Sequence, residues 1–182
     1  MRYFLTRSLP PFSRTLLIES GRRELMEGLL SGIYKSHPEM RADLVTCYPG
    51  LPRNFREDLG RVYRVTDYPG RAARKQLYRE LEAQHYNVAG VICSAEPIMT
   101  KWKWVLAARV PAKIFILNEN GDYFWLDRGH WANIRHFVLF RAGLTGSGAV
   151  RTLARLVMFP CTLLYLILYA LSVHLRRKLR TL

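Results

Sequence analysis

The chain has only three cysteines among its 182 residues, Cys47, Cys93 and Cys161, and none stands at metal-ligand spacing from another. A scattered, odd set excludes a disulfide framework and reads as small apolar residues kept in a reducing compartment. The five histidines make no HExxH or comparable spacing, so no resident metal is expected. No GxSxG elbow surrounds Ser20 or Ser94, Cys93 has no recognisable His partner, and no Walker lysine follows a glycine-rich loop. Hydrolase and NTPase readings therefore lose their motifs, and no cofactor is indicated. The N-terminal MRYFLTRSLPPFSR is broken by Arg7, two prolines and Arg14, and it lacks the apolar run of a secretory signal. Acid is missing from everything after Asp127: all 14 Asp and Glu lie at or before it, while nine Arg and Lys follow.

That depletion frames residues 156–175 (LVMFPCTLLYLILYALSVHL), a run of twenty without Asp, Glu, Lys or Arg. At about 1.5 Å of rise per residue, a helix of this length spans about 30 Å, the hydrocarbon thickness of a bilayer. Its few polar side chains are spread around the helix, so none of its faces is built for water. Arg151 and Arg155 precede the run, Arg176, Arg177 and Lys178 follow it, and Tyr165 and Tyr169 lie within it; together they make a candidate membrane anchor. Attraction of about 1 kcal/mol per basic residue to anionic headgroups accounts for the charge gradient. An anionic bilayer is thus the expected partner, and nucleic acid is not, because neither zinc-finger spacing nor ribonucleoprotein aromatics occur. Pro160 removes one backbone hydrogen bond and is expected to kink the helix. Arg135, Arg141, Arg151 and Arg155 on one side balance Arg176, Arg177, Lys178 and Arg180 on the other. The count leaves both a crossing and a re-entrant helix open; crossing is adopted, with the soluble part on the cytoplasmic side.

Ahead of the anchor, residues 15–18, 42–47, 61–66, 87–93 and 113–117 read as strands, and 21–34, 72–84 and 97–110 carry helical periodicity. Pro97 suits the first turn of its helix, and Pro111 ends it. Residues 87–93 (NVAGVIC) are nearly all apolar, as a central strand covered on both faces must be. Strands alternating with helices require crossovers between parallel neighbours, which predicts an open, doubly wound, mostly parallel five-stranded α/β sheet, Rossmann-like, followed by a C-terminal membrane helix. After 113–117, NENGDY is expected to turn away from the sheet. The expected parts are an arm (1–14), the α/β domain (15–128), an amphipathic helix with a glycine-rich joint (129–149), the membrane helix (150–175) and a basic tail (176–182). Trp131, Ile134, Phe137 and Val138 share one side of 129–141, which either packs on the sheet or lies in the membrane interface.

Ligands of an open parallel sheet bind beyond the carboxyl ends of its strands. The first, fourth and fifth strands exit into Glu19-Ser20-Gly21, Ser94-Ala95-Glu96 and Asn118-Glu119-Asn120, each with one glutamate. Glu19, Glu96 and Glu119 are the candidate catalytic carboxylates, suited to binding a cation or to acting as general base on a sugar hydroxyl. Ser20, Gly21, Arg22, Ser94, Lys101 and Asn118 are the candidate ligand contacts. The alternative is that the carboxylates cap helices or pair with Arg22, Arg23, Lys101 or Lys103. In MTKWKWV (99–105), Trp102 and Trp104 either stack a sugar ring or divide between the core and a partner.

The succession TLLIES, HPEMRADLVTCYPG, VYRVTDY, LYRELEAQHYNVAGVICS and VLAARVPAKIFI resembles the N-terminal, acceptor-side half of heptosyltransferase-like GT-B glycosyltransferases. In that family an apolar first strand, a P-x-A-x-I-D-L-L second, a V-D-x-V third and an L-R-x-x-x-Y-D-x-V-I-D fourth occur in this order. The similarity covers about residues 15–116. Where the family holds a Gly-Asp pair with its candidate base, an ungapped placement puts Glu24-Leu25, and the apolar run stands in place of the sugar-nucleotide half. Paired with the basic anchor, the resemblance implies a membrane-anchored accessory or binding component of bacterial envelope glycolipid or glycan assembly, with a glycosyltransferase partner or a homodimer. The alternatives are a glycosyltransferase-type enzyme on a lipid-linked substrate, completed by such a partner, and a purely structural scaffold.

Overall fold

Strands that must be dry on both faces need apolar side chains at odd and even positions alike, and four segments of this chain meet that demand. In the computed structural model these are β1 (Arg14–Glu19), β2 (Arg41–Thr46), β4 (Val88–Cys93) and β5 (Lys113–Asn118), with the short β3 (Val62–Arg64) between β2 and β4 in the chain. Described are residues 3–6, 8–94, 96–146 and 148–180, without the side chains at 175 and 178–180. Arg7, Ala95, Ser147 and the Lys178 side chain of the expected anchor thus lie outside the described residues.

The sheet runs β3-β2-β1-β4-β5-β6. The first five strands are parallel, and β6 (Tyr123–Trp125) is antiparallel to β5. The expected count of five is therefore one short, and NENGDY does not leave the sheet. Asn118 Oδ1 accepts the backbone N–H groups of Asn120 and Asp122, Gly121 takes φ +85°, and the chain folds straight back as β6. A three-residue strand is too short for periodicity to register.

The strand order reverses between β1 and β4. Leaving β1 for β2 in one direction and returning from β3 to β4 in the other puts right-handed crossovers on opposite faces. On one face α1 (Arg23–Ser36) sets Met26 and Leu30 against Leu17, Leu44, Ile92 and Phe115. Alternation turns Leu16, Ile18, Val45 and Val91 to the other face, where α2 (Arg71–Ala83) and α3 (Thr100–Arg109) contact one another. The helix expected from Pro97 begins only at Thr100, because residues 98–99 form a turn that ends with Met99 at φ +49°. The expected third strand is cut short in the same way by a 3₁₀ turn over Val65–Asp67.

The chain divides into two compact units, residues 1–131 and 132–182. α4 (Trp131–Arg141) starts at this boundary and ends in a Schellman turn, with Leu144 N–H donating to Leu139 O at 2.9 Å and Gly143 N–H to Phe140 O at 3.0 Å. α5 (Gly148–Arg180) contains Ala149–His174, a span of mean hydropathy 2.2 that is long and apolar enough to cross a membrane. The helix runs unbroken through Pro160, which has no N–H to offer the Leu156 carbonyl. Thr162 Oγ1 donates to Met158 O at 3.0 Å, and the Tyr165 and Tyr169 rings stack with centroids 6.4 Å apart. Arg151, Arg155, Arg176 and Arg177 are exposed at its two ends.

Candidate site at the strand-end crevice

The exits of β1 and β4 lie side by side because Ile18 pairs with Val91 in register. Ser20 Oγ donates to Ile92 O at 2.6 Å, which fastens one exit to the other. A Cβ at Gly21 would fall 2.4 Å from Ile92 Cγ2 and 2.8 Å from Ser94 Oγ, so only glycine lets the first loop come this close. Ser20, Gly21 and Ser94 are therefore brought together, as the strand-end argument expects.

Glu19 is fully buried. Arg23 Nε donates to its Oε1 at 3.0 Å, and Thr46 Oγ1 donates to its Oε2. That hydrogen bond raises the Arg23 pKa against the opposing effect of burial. Arg23 also donates to Pro49 O at 2.8 Å and lies over the Tyr48 ring at 5.0 Å, while Tyr48 OH donates to Gly21 O at 3.1 Å. The exit of β2 thus completes the rim with Thr46, Cys47 and Tyr48. Burial pushes the Cys47 thiol up, and Glu19 adds to the shift, which keeps the sulfur protonated and a poor nucleophile at neutral pH. Burial also raises the Tyr48 phenol, with Cys47, Glu19 and Glu96 acting in the same direction.

Glu96 is placed differently. Its Oε1 stands 3.6 Å from Arg22 Nε, and the two side chains are 41% and 58% exposed. Its other oxygen, Oε2, is buried without a hydrogen-bond partner among the described residues, as is Ser94 Oγ. Pairing with Arg23 and Arg22, the alternative to a carboxylate cluster, is what the geometry shows for Glu19 and Glu96. Glu119 sits in the β5–β6 turn, two strand spacings from β1, or about 10 Å, and Asn118 is spent on building that turn. Lys101 is exposed in the first turn of α3. Trp102 packs edge-on against Tyr78 with centroids 5.6 Å apart, under Arg74, whereas Trp104 is 45% exposed; the two rings do not form one stacking platform.

The exits of the first, fourth and fifth strands do not point to Thr46, Cys47 or Tyr48, and Arg23 enters from the sequence only as a pairing partner of the carboxylates. The signal was TCY, leaving the strand that flanks β1 on its other side. Among the described residues no group of three His, Cys, Asp or Glu is arranged for a metal ion. Chemically, the rim offers a loosely held, half-exposed guanidinium and a carboxylate oxygen in need of a donor. A surface pair of this kind is worth at most about 1 kcal/mol. An incoming anion can therefore take Arg22 and leave Glu96 free to accept from a hydroxyl.

Comparison with protein-family models, curated proteins and solved structures gives no match.

Proposed function

We propose that this protein is a membrane-anchored, Rossmann-like module, similar to the acceptor-side half of a heptosyltransferase-like GT-B glycosyltransferase. It binds its ligand at the strand-end crevice and serves as an accessory component in envelope glycolipid or glycan assembly, beside a glycosyltransferase partner or a second copy. The observation that carries the reading is a crevice whose Ser94 Oγ and Glu96 Oε2 are without hydrogen-bond partners among the described residues, on a chain that also bears a membrane-length apolar helix. Buried polar groups are rarely left without partners, and a ligand is one reason they are. The cysteines Cys47, Cys93 and Cys161, none of them in a disulfide, suit a cytoplasmic position for the α/β unit.

Affinity capture of the full chain from detergent-solubilised membranes tests the assignment. Glycan-assembly enzymes should be enriched, and their absence would count against it. The anchor is tested separately: Leu164→Arg with Leu168→Arg, each charge costing about 2.5–3.5 kcal/mol at a helix centre, should release the chain into the alkaline carbonate supernatant. One observation favours a second reading, a transferase completed by a partner chain: the unpaired Oε2 makes Glu96 the better-placed general base, since both Glu19 oxygens are occupied. Glu96→Gln should then abolish transfer in a reconstituted assay, and unchanged activity would remove that reading.

A further inference from the structure

A helix start is stabilised when a side chain caps its first N–H groups and acids fill its first turn. α3 has neither: Met99 stands at the N-cap without a side-chain cap, and the first turn holds no acid. It holds Lys101 and Lys103 instead, at the end of the helix dipole that disfavours cations. The Lys103 N–H is bonded to Met99 O at 2.9 Å, whereas the N–H groups of Thr100, Lys101 and Trp102 have no acceptor among the described residues. Lys101 is exposed, but Lys103 is only 5% exposed and lies on the buried side of α3 with Leu106 and Ala107. Neither lysine makes an ion pair among the described residues. Glu96 is turned to Arg22 at 3.6 Å, and Glu82 to Arg109 at the far end of α3, also at 3.6 Å. Helical side chains lean towards the N-terminus, and a lysine stem covers about one 5.4 Å turn, which carries the Lys103 ammonium to the level of the free N–H groups. Because β4 feeds α3, this start lies at the carboxyl edge of the sheet, where Ser94 Oγ is buried without a hydrogen-bond partner among the described residues.

We infer that the start of α3 binds a phosphate group, carried by an ester that is either free in solution or borne by a lipid. A buried ammonium without a counter-ion is costly to a fold, and an anion removes that cost. A lysine that merely snorkels keeps its head in water, and 5% exposure leaves little of Lys103 there. The donors fit a phosphate better than a carboxylate. Two lysines and a run of free N–H groups at a 10-residue helix start call for an acceptor with more than two oxygens and more than one charge. A phosphate ester brings three strong acceptor oxygens and nearly a double charge. The inference deepens the crevice reading and rests on it: Glu96 Oε2, at the same edge, is left to accept from a hydroxyl of the ester.

The test titrates the full-length chain, in an uncharged detergent at fixed ionic strength, with glycerol phosphate, with farnesyl phosphate and with glycerol as the neutral control. Calorimetry should show saturable binding of a phosphate ester and none of glycerol. The ester that binds more tightly names the source, free for glycerol phosphate and lipid-borne for farnesyl phosphate. Lys103→Met should weaken binding about tenfold or more, as expected for one charge-assisted hydrogen bond, while the thermal melt stays unchanged or rises because an unpaired buried charge has gone. Lys101→Glu keeps the result readable should Lys103→Met misfold: an acid suits a helix start, so the melt holds while phosphate affinity falls by a similar factor. Lys35→Ala, in the last turn of α1, should change nothing. No saturable binding of either ester, glycerol bound as tightly as the esters, or an affinity untouched in both lysine variants overturns the inference. Such a failure with glycan-assembly enzymes still enriched from solubilised membranes leaves the accessory role standing. Phosphate binding that depends on Lys103, without that enrichment, supports the site and counts against the role alone.

Discussion

Each edge of the parallel sheet buries a carboxylate beside a cation, and the two edges handle it differently. At the amino edge Lys113 Nζ, fully buried, lies 2.7 Å from Asp127 Oδ2 and also donates to Thr6 O. Asp127 Oδ1 accepts from His130 N at 3.1 Å and lies 2.8 Å from the His130 ring Nδ1. All of these groups are engaged with one another, and they tie the arm, β5 and the 3₁₀ turn Arg128–His130 into one knot. At the carboxyl edge Glu19 is just as fully bonded by Arg23 and Thr46. One strand over, however, Ser94 Oγ and Glu96 Oε2 have no hydrogen-bond partner among the described residues and Arg22 is loosely held. Complete satisfaction marks the Lys113–Asp127 knot that closes the fold, whereas Ser94 and Glu96 at the carboxyl edge keep capacity to spare for a ligand.

The comparison is broken most severely by Lys113→Met, which leaves Asp127 charged and buried without its cation. The full chain in detergent should lose about 3–5 kcal/mol in denaturant unfolding, and a loss below about 1 kcal/mol would mean that the amino-edge knot does not hold the fold. Glu19→Gln weakens charge-assisted bonds from Arg23 and Thr46 and should cost about 1.5–3 kcal/mol by the same measurement. Acid probes the amino edge. Burial pushes the Asp127 carboxyl up, but hydrogen bonds from Lys113 and His130 outweigh it and hold the group at about 2. Its folded pKa lies below the unfolded value of about 3.9, so its contribution is complete above about pH 4 and fades as pH falls towards 2. Unfolding followed from pH 5 to pH 2 should show about 2 kcal/mol lost in that window, and Lys113→Met should largely flatten the dependence. The smallest effect belongs to Ser94→Ala. Removing a hydroxyl that has no partner should leave stability within about 1 kcal/mol of the parent, and a larger loss would show that the carboxyl edge is as closed as the other.

Much of the architecture was legible because burial on both faces leaves an unmistakable run: LLI, ADLV, VAGVIC and KIFIL all became inner strands, with the fourth beside the first at the centre. What failed to show was short or encoded by turns. YFW is too brief to betray a strand, and Met99 in a left-handed conformation delays α3 with no sequence cue beyond Pro97. At the site, strand exits located Ser20, Gly21, Ser94 and the Arg22–Glu96 pair. Of the two partners of Glu19, Arg23 is local, whereas Thr46 reaches it only once β2 lies against β1. Asn118 carried a polar side chain at the right address and used it for its own turn.

The outermost strands, β3 and β6, are each three residues long. So little unsatisfied backbone on the flanks gives another chain almost nothing to zip onto. Any homodimer or enzyme partner must then grip this molecule through side chains and helices instead of by continuing its sheet, and fibrous self-association by strand addition is discouraged from the outset.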